Sequence, residues 1–139
     1  MGRSILAVLA GYLTLAAAVV AVDFSLGTLF PGAFPEPVEP GARPPTAGWL
    51  GVILLYSSVF AVLGGYVAAW VARRSERLHA LAFGLLLEAM TLAEWYATRG
   101  WRPAWYHALL ALLPIPAALL GGWLRSRRAP GGAAAPTAS

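Results

Sequence analysis

Four long apolar runs, separated by short polar or Pro/Gly-rich links, constrain this chain more than any other feature. The first extends from Ile5 to Val22, and to Phe30 if Asp23 is tolerated; the others cover Gly48 to Ala72, Leu78 to Tyr96 and Pro103 to Leu124. A helix of about 20 residues crosses about 30 Å of hydrocarbon, and each run is close to that length. The chain is 59% hydrophobic and 12% charged, where a soluble domain is about 25% charged. Lipid is the natural solvent for such an apolar surplus. The expected fold is all-α: a membrane-embedded four-helix bundle, up-down-up-down, forming a single domain over residues 1–128 with spans of about 5–29, 48–72, 78–97 and 103–124.

Start and stop signals fit these runs. Thr46 and Ser75 are placed to cap spans two and three, Gly100 to end span three, and Pro103 to sit in the first turn of span four. Residues 31–47 are rich in Pro, Gly and small side chains and include Glu36, Glu39 and Arg43; this pattern predicts a stiff outer connector. The Ala/Pro/Gly-rich tail, 129–139, is expected to be disordered. The first run also admits a reading as a signal peptide, with Arg3 before it and Val19-Val20-Ala21 as a cleavage region. The length of the run, and the hydrophobicity beyond the cut, favour a retained span.

Orientation follows from the arginines, which supply every Lys/Arg position in the chain and its net charge of +4. In the four-span layout Arg3, Arg73, Arg74, Arg77, Arg125, Arg127 and Arg128 fall at one face, and Arg43, Arg99 and Arg102 at the other. The richer face is expected to be cytoplasmic, which places both termini there. Trp49, Trp95, Trp101 and Trp105 then mark the outer interface, and Trp70 and Trp123 the inner one. Arg73, Arg74 and Arg77, with Arg125, Arg127 and Arg128, are expected to meet anionic lipid headgroups. Their position at span ends argues against a nucleic-acid partner. The absence of lysine and asparagine points to a GC-rich bacterial genome, and hence to a multi-pass protein of the bacterial cytoplasmic membrane. Without cysteine there is no disulfide, thiolate metal site or cysteine nucleophile.

Packing in lipid depends on close approach of helices. Ser57, Ala61, Gly65 and Ala69 recur at every fourth position of span two and form one smooth stripe, with Gly64 and Ala68 beside it; Ala7 and Gly11 repeat the spacing in span one. Such faces serve either contacts within one bundle or an interface with a second copy. Pro114 and Pro116 are expected to bend span four and free backbone carbonyls.

Two polar layers are candidates for chemistry. Counting about 1.5 Å per residue from Arg77 places Glu88 about 16 Å deep, near the bilayer midplane, at a level similar to Thr14, Tyr56 and Ser57. A charged carboxyl facing lipid there is costly, so Glu88 is expected to face inward, on a stripe with Gly84, Thr91 and Trp95, as a proton or ion site or as a hydrogen-bonded link to Tyr56, Ser57 or Thr14. Nearer the outer face, Asp23, Glu94 and His107 from three helices, with Arg99 and Arg102, form either a metal or acid–base site or an interfacial ion-pair cluster. No ligand spacing supports a metal. His79 and His107 lie at opposite faces and cannot share a haem, and no cofactor is expected.

The stretch Gly64-Gly65-Tyr66-Val67-Ala68-Ala69, an arginine-rich turn, and His79-Ala80-Leu81-Ala82-Phe83-Gly84 resemble a pattern in small four-span bacterial membrane proteins of unknown function. The resemblance implies architecture and carries no activity. Three functions are then open. The expected one is a non-enzymatic accessory subunit or homo-oligomer that packs against other membrane subunits, or itself, through the small-residue faces. The alternative is a small proton- or ion-coupled transporter using Glu88, and the third a membrane enzyme at Asp23, Glu94 and His107.

Overall fold

The computed structural model describes residues 2–35, 44–73, 75–97 and 100–128. Arg43, Arg74, Arg99, Glu36, Glu39 and the tail 129–139 lie outside the described residues. The chain is helical: α1 spans Gly2–Leu29, α2 Ala47–Ala72, α3 Glu76–Ala97, α4 Ala104–Leu112 and α5 Pro114–Arg128, with no strand among the described residues. α4 and α5 are two halves of one apolar stretch, so four helical segments are long and apolar enough to cross a membrane. Large apolar side chains cover the outside: Phe24, Leu29 and Leu112 are about 70% exposed. A water-soluble monomer rarely shows a continuous apolar surface of this extent.

The helix ends follow local chemistry. Thr46 precedes α2 in extended conformation, and its hydroxyl accepts a hydrogen bond from the Trp49 amide. α2 ends at Arg73 in the left-handed region (φ 58°), where its amide bonds the Ala69 carbonyl. Ser75 also has positive φ (51°), and its backbone carbonyl accepts from the Leu78 and His79 amides. The sequence points to a side-chain cap at Ser75; the structure starts α3 from its main chain. Pro103 stands just before α4 as its N-cap, one position ahead of the expected first turn. The bend in the last span is local. Leu113 stays near helical geometry, its amide bonding the Leu109 carbonyl and its carbonyl the Ala117 amide. Pro114 and Pro116 have no N–H, so the carbonyls of Leu110 and Leu112 lose their partners four residues on.

The bundle packs in two distinct ways along its length. At the arginine-rich end the helices nearly touch. The Arg3 guanidinium donates to the Val71 carbonyl at 3.3 Å. A Cβ on Gly11 would stand 2.6 Å from the Gly64 carbonyl oxygen, and one on Gly122 would stand 2.5 Å from the Ala80 methyl. Side chains on Gly65 and Gly121 would run into the backbones of Ala118 and Val62. Ala61, Ala68, Phe83, Leu87 and Ala118 form a core that extends from these contacts to the bundle centre. Toward the other end the core is built of larger groups, Leu50, Leu54 and Tyr106. Contacts between α1 and α2 run in reverse order: Arg3 meets Val71, Gly11 meets Gly64, Asp23 meets Tyr56, and Phe30 meets Trp49.

The small-residue faces are therefore occupied within the chain. Ala7, Gly11, Ala61, Gly65 and Ala69 are buried, and Ser57 is half-buried. These faces do not remain open for a second copy.

Candidate functional site

Helices held close at one end and spaced by bulkier groups at the other leave a space between them. At the aromatic end this space is a cavity of about 620 Å³. Each segment supplies a polar group to its wall: Asp23 from the last turns of α1, Tyr56 from α2, Glu94 from α3, Arg102 from the α3–α4 turn and Tyr106 from α4. Val19, Ile53 and Leu110 make an apolar lower wall. The chain leaving α1 folds back over it, and Phe30 and Phe34 line the cavity while packing edge-on to Trp49, each with ring centroids 5.4 Å apart. The backbone holds this return: the Ala33 and Phe34 amides both bond the Phe30 carbonyl, and Gly32 supplies a positive φ of 75°.

The polar groups are organised in two sets. The Tyr56 hydroxyl donates to Asp23 Oδ1. Arg102 Nη1 forms a salt bridge with Glu94 Oε1 and donates to the Tyr106 hydroxyl at 3.3 Å. The guanidinium also lies 5.1 Å from the Tyr106 ring centre and 5.5 Å from that of Trp101. Arg102 is thus held by a charge partner, a hydroxyl and two aromatic faces, a set suited to a weakly hydrated guanidinium.

A smaller cavity of about 190 Å³ shares Val19, Ser57, Glu94 and Leu110 with the first. It continues toward the bundle centre past Ser58, Thr91 and Pro114, and its lining includes Leu87 and Ala61. Beyond these lie the glycine contacts of the arginine-rich end.

The expected site residues are redistributed. Asp23, Glu94 and Arg102 do line one cavity, but His107 does not. It is buried and stacked on Trp95, with centroids 5.4 Å apart and planes 4° apart, and neither ring nitrogen has a hydrogen-bond partner. Among the described residues no group of three or more His, Cys, Asp or Glu is placed to hold a metal ion. His79 faces its own turn, with Nδ1 3.1 Å from the Ser75 carbonyl.

The midplane set also separates. Tyr56 and Ser57 belong to the cavity. The Thr14 hydroxyl bonds the Ala10 carbonyl of its own helix at 2.8 Å. Glu88 is half-buried, and its Oε2 is enclosed with no hydrogen-bond partner. The buried face of α3 consists of Ala80, Phe83, Gly84, Leu87 and Thr91, so Glu88 flanks that face, and Trp95 is 38% exposed. The expected link from Glu88 to Tyr56 gives way because Tyr56 already serves Asp23.

Tyr106 and the two phenylalanines were not singled out from the sequence. The signal for Tyr106 was its position four residues after Arg102 at the start of a helix. For Phe30 and Phe34 no local signal distinguishes a cavity wall from an interfacial aromatic. Comparison with protein families, curated proteins and solved structures finds no match to this chain.

Proposed function

We propose that this chain is a multi-pass protein of the bacterial cytoplasmic membrane that binds a small molecule in the cavity at its outer end, without transforming it. The observation that carries this reading is the cavity itself. Its volume of about 620 Å³ lies within the roughly 300–1,000 Å³ usual for small-molecule sites, and it combines apolar walls with a few placed polar groups. Its carboxylates are bonded to a tyrosine and an arginine, which fixes them as walls. Binding of this kind suits the ligand-sensing or accessory component of a larger membrane assembly. Partners in that assembly would meet the lipid-facing surface, since the small-residue faces are filled from within.

The up-down-up-down path with both termini in the cytoplasm belongs to this proposal. Arg3 against Val71, and Gly122 beside Glu76 and the Arg77 Cα, bring the basic ends of the helices to one level, which is the asymmetry expected of a cytoplasmic face. Arg73, Arg77, Arg125, Arg127 and Arg128 there would meet anionic headgroups; Arg127 already stacks 3.9 Å over the Trp123 ring.

The chain contains no cysteine, so single cysteines can report access. In intact cells a membrane-impermeant thiol reagent is expected to label Ser57→Cys and to leave Ala118→Cys unmodified. Protection of Ser57→Cys under conditions that label a cysteine in the 31–47 loop would overturn the outward-open cavity.

The enclosed, unpartnered Glu88 Oε2 supports a second reading, a proton- or ion-coupled role. Glu88→Gln would then abolish proton flux in liposomes while the fold is kept. Unchanged flux would remove this reading.

A further inference from the structure

Among the described residues the cavity wall is not balanced in charge. Glu94 is matched by Arg102, whereas the hydrogen bond to Asp23 Oδ1 comes from a neutral group, the Tyr56 hydroxyl. A tyrosine can orient a carboxylate but cannot neutralise it. In a site with apolar walls, beside a membrane, an unmatched carboxylate attracts a cation strongly. The same cavity is lined by four aromatic rings, those of Phe30, Phe34, Tyr56 and Tyr106. Aromatic faces hold organic cations, and they do so best where water is excluded.

The chemistry of the wall selects among cations. A divalent metal ion requires several oxygen or nitrogen ligands around one point, and among the described residues no group of three His, Cys, Asp or Glu supplies them. An alkylammonium group needs only one counter-ion and a set of aromatic or methylene surfaces. The lower wall of Val19, Ile53 and Leu110 gives an attached hydrocarbon a place to lie.

We propose that the cavity binds an organic ammonium ion, with Asp23 as its counter-ion and the surrounding aromatic rings as its cage. This rests on reading the cavity as a ligand site and adds the class of ligand. The ammonium group is either that of a free small amine or that of an ethanolamine or choline lipid headgroup in the outer leaflet, since each presents an organic ammonium ion.

The test uses the full chain in phosphatidylglycerol nanodiscs, where no lipid ammonium competes. Choline is compared by NMR titration with 3,3-dimethyl-1-butanol, which has the same shape and no charge. Choline is expected to bind at least tenfold more tightly than the alcohol. Asp23→Asn is expected to lose at least tenfold in choline affinity, and Asp23→Glu to stay within about threefold of the unaltered chain. Ser57→Trp, which fills the cavity, is expected to abolish binding. Equal binding of the two probes, no binding of choline, or full choline affinity in Asp23→Asn overturns the ammonium assignment. The comparison of probes needs no variant, so it stands even if Asp23→Asn fails to fold. Cysteine accessibility at position 57 tests the cavity reading separately: labelling there without choline binding rejects the ligand class alone. Choline binding that survives Ser57→Trp places the site elsewhere and rejects both. Finally, adding phosphatidylcholine to the nanodiscs separates the sources. Loss of choline binding identifies the headgroup, and undiminished binding identifies the free amine.

Discussion

Arg102 is the residue on which the site at the aromatic end is organised. Its side chain, only 17% exposed, joins α3 to α4 through Glu94 and Tyr106. Replacing it with methionine keeps much of the bulk and leaves Glu94 without this partner. A hydrogen bond to a charged group is worth about 1.5–3 kcal/mol. Glu94 is 38% exposed and can recover some hydration, so Arg102→Met is expected to cost about 1–2 kcal/mol in denaturant unfolding of the detergent-solubilised protein. The double variant Arg102→Met/Glu94→Gln is expected to cost less than the two single changes summed. Strict additivity in this double-mutant cycle would show that the pair contributes nothing as a pair. Glu94 and Arg102 could be named as neighbours from the sequence because a tight link joins their helices. The bond between Asp23 and Tyr56 joins residues in separate spans, and depth counting places Tyr56 with Ser57 and Thr14 as alternative partners of Glu88.

At the scale of the element, glycine is used for opposite purposes within α2. Gly65 faces the Ala118 backbone so closely that any Cβ there must displace a helix. Gly48 and Gly51 have nothing within 4 Å of an added Cβ. Gly65→Ala is therefore expected to destabilise by about 1–3 kcal/mol, the usual cost of overpacking a filled core. Gly51→Ala is expected to gain roughly 0.5–1 kcal/mol from helix propensity. Thermal unfolding in detergent measures both. If Gly65→Ala were as stable as the parent, the close approach of α2 and α5 would be refuted. The sequence sets Gly65 apart by its place in the small-residue stripe; that its contact is the backbone of α5 depends on the neighbouring helix.

For the whole molecule, the gradient of side-chain size along the bundle produces its asymmetry. Buried small residues gather toward the arginine-rich end of all four apolar segments, at Ala7 and Gly11, at Gly64, Gly65, Ala68, Ala69 and Ala72, at Ala80 and Gly84, and at Ala118, Gly121 and Gly122. The opposite end carries Leu50, Leu54, Tyr56 and Tyr106. Tight packing at one end and a cavity at the other amount to a cup with a closed base. Topology decides which side the cup faces. Reporter fusions at residue 139 and within the 31–47 loop are expected to give cytoplasmic and external signals respectively. A cytoplasmic signal from the loop would invert the orientation and place the cavity mouth inside the cell.

An all-helical chain with four helical segments able to span a membrane could be read from the sequence alone, because that much depends on properties local to each segment. The length of an apolar run, the lack of an N–H at Pro114 and Pro116, and the oxygen of Thr46 act on their own helix whatever surrounds it. What only the tertiary structure decided is which polar groups meet. Helical periodicity gives the angle between Glu88 and Leu87 about the axis of α3 but not the direction from which a neighbour approaches, so the buried face proved to centre on Leu87. His107, read as a possible ligand beside Asp23 and Glu94, turned instead onto Trp95. A shift of one residue along a helix turns a side chain by about 100°, and at a three-helix site that is the difference between lining a cavity and being packed behind its wall.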